Sequence, residues 1–209
     1  MAAVVSAVEH KVVLEGVSWE TYQRLLAEHE NENGARFSYD EGTLEIMVLS
    51  ARHEHPNRIL ALLVELVAAE LDIEIFQLGS TTFQRPELLR GFEPDSAFYI
   101  AHAPEFGGRD VNPTLAPPPD LLIEVDVTSS SLLRFPIFAA FGVPEVWRYD
   151  GTRVAIFRLE GGQYGEVESS GALPPVTAAL ATRFLDDRRR LGSTKWLRRV
   201  REWARAQRA

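Results

Sequence analysis

The sequence predicts a mixed α/β or α+β fold, and three observations carry that expectation. Residues 54–71 repeat Ile59, Leu60, Leu63, Leu66 and Val67 at helical spacing. Residues 120–127, Asp-Leu-Leu-Ile-Glu-Val-Asp-Val, form a nearly continuous apolar run, the pattern of a strand covered on both faces. Residues 35–50 and 143–167 alternate around Asp-Glu-Gly, Asp-Gly and Glu-Gly-Gly turns, as hairpins do.

From the N-terminus, Ser18 is placed to cap a helix over 18–32, with Trp19, Tyr22, Leu25 and Leu26 as its apolar stripe. A hairpin follows, turning at Asp40-Glu41-Gly42. In the 54–71 helix, Pro56 suits the first turn. Residues 73–86 are expected to form one or two strands and residues 93–101 another. Residues 102–119 are a Pro- and Gly-rich loop, long enough to be of the functional or mobile kind. The run Thr128-Ser129-Ser130-Ser131 caps a helix through Ala140, whose regular part starts near Phe135 because of Pro136. A β-meander follows. The last 20 or so residues place Trp196, Val200, Trp203 and Gln207 on one helix face, with Arg198, Arg199, Arg201 and Arg205 off it. The expected organisation is a single domain over 1–209, with a helix and hairpin at about 12–50 and an Arg-rich C-terminal helix at about 183–209.

The composition bounds the function. With 209 residues, 45% hydrophobic and 25% charged, the chain can bury a core of useful size. It has no cysteine, which excludes disulfides and thiolate metal sites and fits a reducing cytoplasm. No apolar run approaches the roughly 18 residues of a spanning helix, and the N-terminus lacks the basic start of a signal peptide. A net charge of −8 argues against non-specific coating of nucleic acid. Yet residues 183–209 hold nine Arg and one Lys against three acids, a net +7, leaving −15 on the first 182. That tail is either a surface for an acidic partner, with Arg198, Arg199 and Arg201 as candidate nucleic-acid contacts, or a solvated helix face.

Two acids raise the chemical question. Asp95 sits among Phe92, Pro94, Phe98 and Tyr99, and Glu124 sits in Leu121-Leu122-Ile123-Glu124-Val125. Burying a carboxylate is costly unless something pairs with it. Two strand-borne carboxylates can converge on a hard cation such as Mg²⁺ or Mn²⁺, and the Val125 carbonyl can add a third oxygen. Asp126 lies two residues on, hence on the same sheet face as Glu124, as a further ligand or supporting acid. The competing reading is that each acid begins or ends a strand, facing water or an arginine; Asp120 is assigned to such a strand start. Gln84 either approaches Asp95 from a neighbouring strand or only bonds within its own sheet. Ser129, Ser130 and Ser131 lack a histidine partner. His53 and His55 flank Glu54 without the i, i+4 spacing of a helical zinc pair.

The ordered stretches "GTLEIMVLSARHEH", "LGSTTFQRPELLRGFEPDSAFYI", "PPDLLIEVDVTSSS" and "RFPIFAAFGVPEVWRYDG" resemble the PD-(D/E)xK nuclease superfamily and, more closely, the Uma-two family of restriction-endonuclease-like proteins. They span roughly residues 35–165. The resemblance implies a restriction-endonuclease-like fold, a mixed sheet of four or five core strands flanked by helices, with Asp95 and Glu124 as metal-binding acids. It also implies that Glu54 approaches the metal site and that His53 matches a family histidine; the alternative for both is helix N-terminal capping. The chain departs from the superfamily at the lysine, whose place two residues after the second acid is taken by Asp126. Only Lys11 and Lys195 exist. The family's basic residue on the following helix corresponds to Arg134, which can clamp a phosphate but cannot act as a general base.

These features lead to an expected Mg²⁺- or Mn²⁺-dependent endonuclease acting on DNA, or less readily RNA, with Asp95, Glu124, Arg134 and Glu54 in catalytic roles. A second expectation, from the missing lysine, is a weakened or inactive nuclease-fold module that binds protein or nucleic acid. A third, hydrolysis of a small acidic substrate, has no specific feature behind it. The resemblance and the Trp196/Val200/Trp203 stripe together lead to an expected homodimer.

Overall fold

The computed structural model describes residues 10–29, 35–48, 51–106, 112–126 and 131–208. The N-terminal part contains strand β1 (His10–Leu14), helix α1 (Trp19–His29) and the hairpin β2 (Ala35–Asp40) and β3 (Thr43–Val48). As expected, Ser18 caps α1, its Oγ accepting from the Thr21 N–H at 3.2 Å. The hairpin turns at Glu41 and Gly42, both at positive φ. Strand β1 was not foreseen from the sequence; it is the edge partner of β3, where Val12, Val13 and Leu14 remain exposed.

Helix α2 (Ala51–Leu71) begins three residues earlier than the sequence predicts, so Pro56 falls inside the helix rather than in its first turn. The next strands divide between two sheets. Strands β5 (Phe83–Arg85) and β6 (Arg90–Phe92) join the hairpin in a five-stranded sheet, in the order β1-β3-β2-β6-β5. The six-stranded sheet has the order β11-β10-β9-β8-β7-β4, built from β4 (Phe76–Gly79), β7 (Ser96–Tyr99), β8 (Leu121–Val125), β9 (Glu145–Tyr149), β10 (Val154–Glu160) and β11 (Gln163–Val167). The strand expected over 93–101 is therefore only β7, and the segment 93–95 before it carries the chain from one sheet to the other. A one-turn helix, α3 (Ala103–Phe106), interrupts the expected loop of 102–119.

Strand β8 is central and mixed, antiparallel to β7 and parallel to β9. Its side chains alternate between two cores. Leu121, Ile123 and Val125 pack with α2 and the C-terminal helices, whereas Leu122 packs with Phe83, Phe92 and helix α4 (Phe135–Phe141). A 3₁₀ turn over Ser131–Arg134 leads into α4, and Gly142, at φ 78°, ends it.

The expected single C-terminal helix is two helices, α5 (Ala178–Arg190) and α6 (Ser193–Arg205), broken at Leu191-Gly192. Trp196, Val200 and Ala204 are buried against the chain's own core, and the Trp196 N–H donates to the Phe184 carbonyl at 2.7 Å. This corrects the reading of the stripe as a dimer contact, because its apolar face is spent on intramolecular packing.

Candidate active site

Asp95 lies in the crossing segment immediately before β7. The register pairs Ser96 with Ile123, and continued by one residue it sets Asp95 opposite Glu124. Glu124 shares the Leu122 face of β8, above α4, and Asp95 lies in the bend just before β7, at the edge between that face and α2. The Asp95 carboxylate accepts from the Val125 N–H at 2.8 Å. The Asp126 N–H bonds the Tyr149 carbonyl, so even-numbered residues at this end of β8 bond toward β9 and odd ones toward β7. The Val125 carbonyl accordingly turns to the Asp95 side.

Glu124 is wholly buried and Arg134 is 3% exposed; the Arg134 guanidinium donates to Glu124 Oε2 at 2.6 Å. Glu124 Oε1 is buried and has no hydrogen-bond partner among the described residues. Burial pushes the Glu124 carboxyl well above the usual carboxylate range; Arg134 opposes this, and Asp95 and Asp126 add to it. Burial also acts against the Arg134 charge, but the carboxylates of Glu124, Asp95, Glu45 and Asp126 more than offset it and hold the guanidinium ionised. The orphaned Oε1, the adjacent Asp95 and the oxygen-only donor set fit a hard divalent cation. No group of three or more His, Asp or Glu side chains suited to a metal converges among the described residues; two carboxylates and a peptide oxygen are the donors that could hold one here.

Asn57 of α2 fixes the crossing segment. Its amide donates to the Asp95 carbonyl at 3.1 Å and accepts from the Ser96 hydroxyl at 2.9 Å. Glu93 anchors the segment's other end, accepting from the Phe37 N–H at 3.0 Å and the Thr82 hydroxyl at 2.6 Å. Burial raises the Glu93 carboxyl above its ordinary value, against these hydrogen bonds and nearby Arg36.

The family described as Uma2, "Putative restriction endonuclease", matches residues 19–186. The chain belongs to the Uma2 family. That description supports a nuclease function. Among solved structures, a DUF820 protein from Anabaena variabilis, itself described as a putative nuclease, superimposes with a TM-score of 0.52 at 14% identity, over 71% of this chain and 90% of its own. At that identity the likeness shows the fold. No curated protein matches the chain.

Of the other residues singled out in this Uma2 chain, Glu54 is exposed in the first turn of α2 and lines a cleft with Asp95. The side chain of His53 lies outside the described residues. The Asp126 carboxylate is already engaged, accepting from Ser131 N–H and Oγ and pairing with the Arg148 guanidinium, which leaves it the supporting role rather than that of a ligand. Gln84 is half-buried on β5 and lines a neighbouring cleft without Asp95. Asp120 does precede its strand, where it accepts from the Ile100 and His102 N–H groups and pins the turn after β7. In the tail, Arg199 pairs with Asp187 at 3.4 Å and Arg201 with Glu70 at 3.5 Å, whereas Arg198 has no ion pair among the described residues.

Sequence reasoning missed Asn57, Glu93, Arg36 and Arg148. Glu93 carried a signal, an acid between Phe92 and Pro94. The others become visible only when distant strands are laid together. Lys11, remote from the motif in sequence, ion-pairs at 2.5 Å with Glu45, whose charge is felt by Arg134.

Proposed function

We propose that this protein is a metal-dependent phosphodiesterase acting on DNA, with Asp95, Glu124 and the Val125 carbonyl holding Mg²⁺ or Mn²⁺. The observation that carries the proposal is the Asp95 carboxylate, bonded to the Val125 N–H next to Glu124, together with Glu124 Oε1, buried and unpartnered among the described residues. Such a cation, when bound, acidifies coordinated water and neutralises charge on a phosphodiester. Arg134 favours the ionised form of Glu124 against a burial that favours the neutral one. Asn57 holds the Asp95 backbone against α2, and Glu54 stands at the cleft beside it. No lysine occupies the motif position, so proton removal from water falls to solvent or to an exposed carboxylate such as Glu54.

A second reading, a weakened module of the same fold, is favoured by one observation. Both arginines on the Glu124 face are already paired, Arg134 with Glu124 and Arg148 with Asp126. Two measurements separate the readings: Mn²⁺ binding by calorimetry, and cleavage of plasmid, single-stranded DNA and RNA. Under the first reading the wild type binds Mn²⁺ and cleaves, and Asp95→Asn loses both. A wild type that binds no Mn²⁺ at millimolar concentration, or an Asp95→Asn variant that cleaves equally well, overturns it.

A further inference from the structure

A cleft of about 560 Å³ opens beside Asp95, over α2 and against the junction of α5 and α6. Arg36, Arg58 and Arg188 line it. None of the three has an ion pair among the described residues, and Arg36 Nε is buried with no hydrogen-bond partner there. Among the described residues Arg188 donates to neutral oxygens, Ser193 Oγ at 2.7 Å and the Leu191 carbonyl at 3.4 Å. Four of the nine arginines in residues 183–209 are instead held by carboxylates among the described residues, Arg189 by Asp186 among them. Arg199 is held by Asp187, and Arg201 and Arg205 share Glu70, with Arg205 at 2.7 Å.

This contrast matters in a chain of net charge −8. A guanidinium already bound to a carboxylate must give up that contact to take a phosphate, whereas one facing only neutral oxygens brings its whole charge and its forked donors. Glu54 and Glu65 share the cleft lining, so the individual guanidiniums, not the net charge, select where phosphates rest. A second cleft of about 500 Å³ shares Arg36 and Ser80 with the first and is lined further along by Thr82 and Gln84. The two meet at Arg36 and Ser80 as one groove, with Arg58 and Arg188 along the first cleft and Thr82, Gln84 and the buried carboxylate of Glu93 along the second.

We infer that the phosphodiester backbone of a polynucleotide lies in this groove past Asp95, held by Arg58 and Arg188, and does not follow the outer arginines of α6. The inference rests on the nuclease reading above for its ligand class. Binding is measured on the full chain in EDTA, by anisotropy of labelled single-stranded and duplex DNA across a KCl series, with circular dichroism to confirm folding. The variants are Arg58→Gln, Arg58→Gln/Arg188→Gln, and Arg198→Gln/Arg199→Gln. Arg58 is exposed, so its single variant stays informative if the double variant is unstable. Losing two phosphate contacts lowers the slope of log K against log salt by about 1.8 on duplex or about 1.4 on single strands, and losing Arg58 alone by half of that. The tail variant leaves the slope unchanged. An unchanged slope in both cleft variants, a loss confined to the tail variant, or a wild type that binds neither DNA overturns the inference. Cleavage by the wild type with Mn²⁺ in that event leaves the nuclease reading standing, so the two fail separately.

Discussion

Replacing Arg134 by Met tests the energetic centre of the site. The Arg134–Glu124 pair is 2.6 Å long, with side chains 4% and 0% exposed, so neither partner recovers hydration if the other is removed. Breaking a buried pair from one side costs about 3–5 kcal/mol. For a domain of this size, each kcal/mol moves the melting midpoint by about 2–4 °C, giving a fall of about 6–20 °C. Burial already drives the Glu124 carboxyl upward, and removing Arg134 strengthens that tendency. A group raised in the folded state contributes its stability below its unfolded value and loses it as pH rises. The deficit of Arg134→Met is therefore smaller at pH 5 than at pH 8. Glu124→Gln strands the guanidinium instead, and the double variant strands neither. Urea unfolding of all four proteins should show the double variant more stable than the sum of the single losses by about 3 kcal/mol. A single Arg134→Met variant within about 1 kcal/mol of wild type, or losses that simply add, would refute the argument that the pair is mutually required.

Two further outcomes follow from local packing and charge. A Cβ at Gly91 would collide with the Tyr22 hydroxyl and lie 3.0 Å from its Cζ, so Gly91→Ala should cost about 1–3 kcal/mol in thermal or urea unfolding. Tyr22 Oη is buried with no partner among the described residues; Tyr22→Phe alone should be neutral or stabilising, and Gly91→Ala should cost less in that background. Burial acts to raise the Asp150 carboxyl, but the Thr152 hydroxyl and the Arg153 and Thr152 amides outweigh it and hold the group at about 2. Because the folded value is depressed, this turn's contribution is present above the ordinary aspartate value of about 3.9 and is lost as pH falls toward 2. The stability difference between wild type and Asp150→Asn should shrink over that range, and a pH-independent difference would show that the turn is not held by the ionised carboxylate.

The sequence by itself determined the local features. The periodicity of 54–71, the apolar run of 121–125 and the capping Ser18 specify α2, β8 and the start of α1, because side-chain spacing and capping act within a few residues. It also marked Asp95 and Glu124, since an acid in an apolar run is conspicuous on any reading. Only the tertiary structure decided what those acids face and which charges are already satisfied. Strands β6 and β7 are nearly continuous in sequence yet belong to different sheets, and nothing within 93–95 states which partner each strand finds. Asp126 was a candidate ligand until Arg148, 22 residues away, was seen to claim it. Arg201, a candidate nucleic-acid contact in the sequence, and Arg205 are both held by Glu70, while Arg58 and Arg188, not singled out in the sequence, line the cleft. The reason is physical: periodicity is a local property of the chain, whereas the pairing of charges and strands depends on which distant segments the fold brings within a few ångströms.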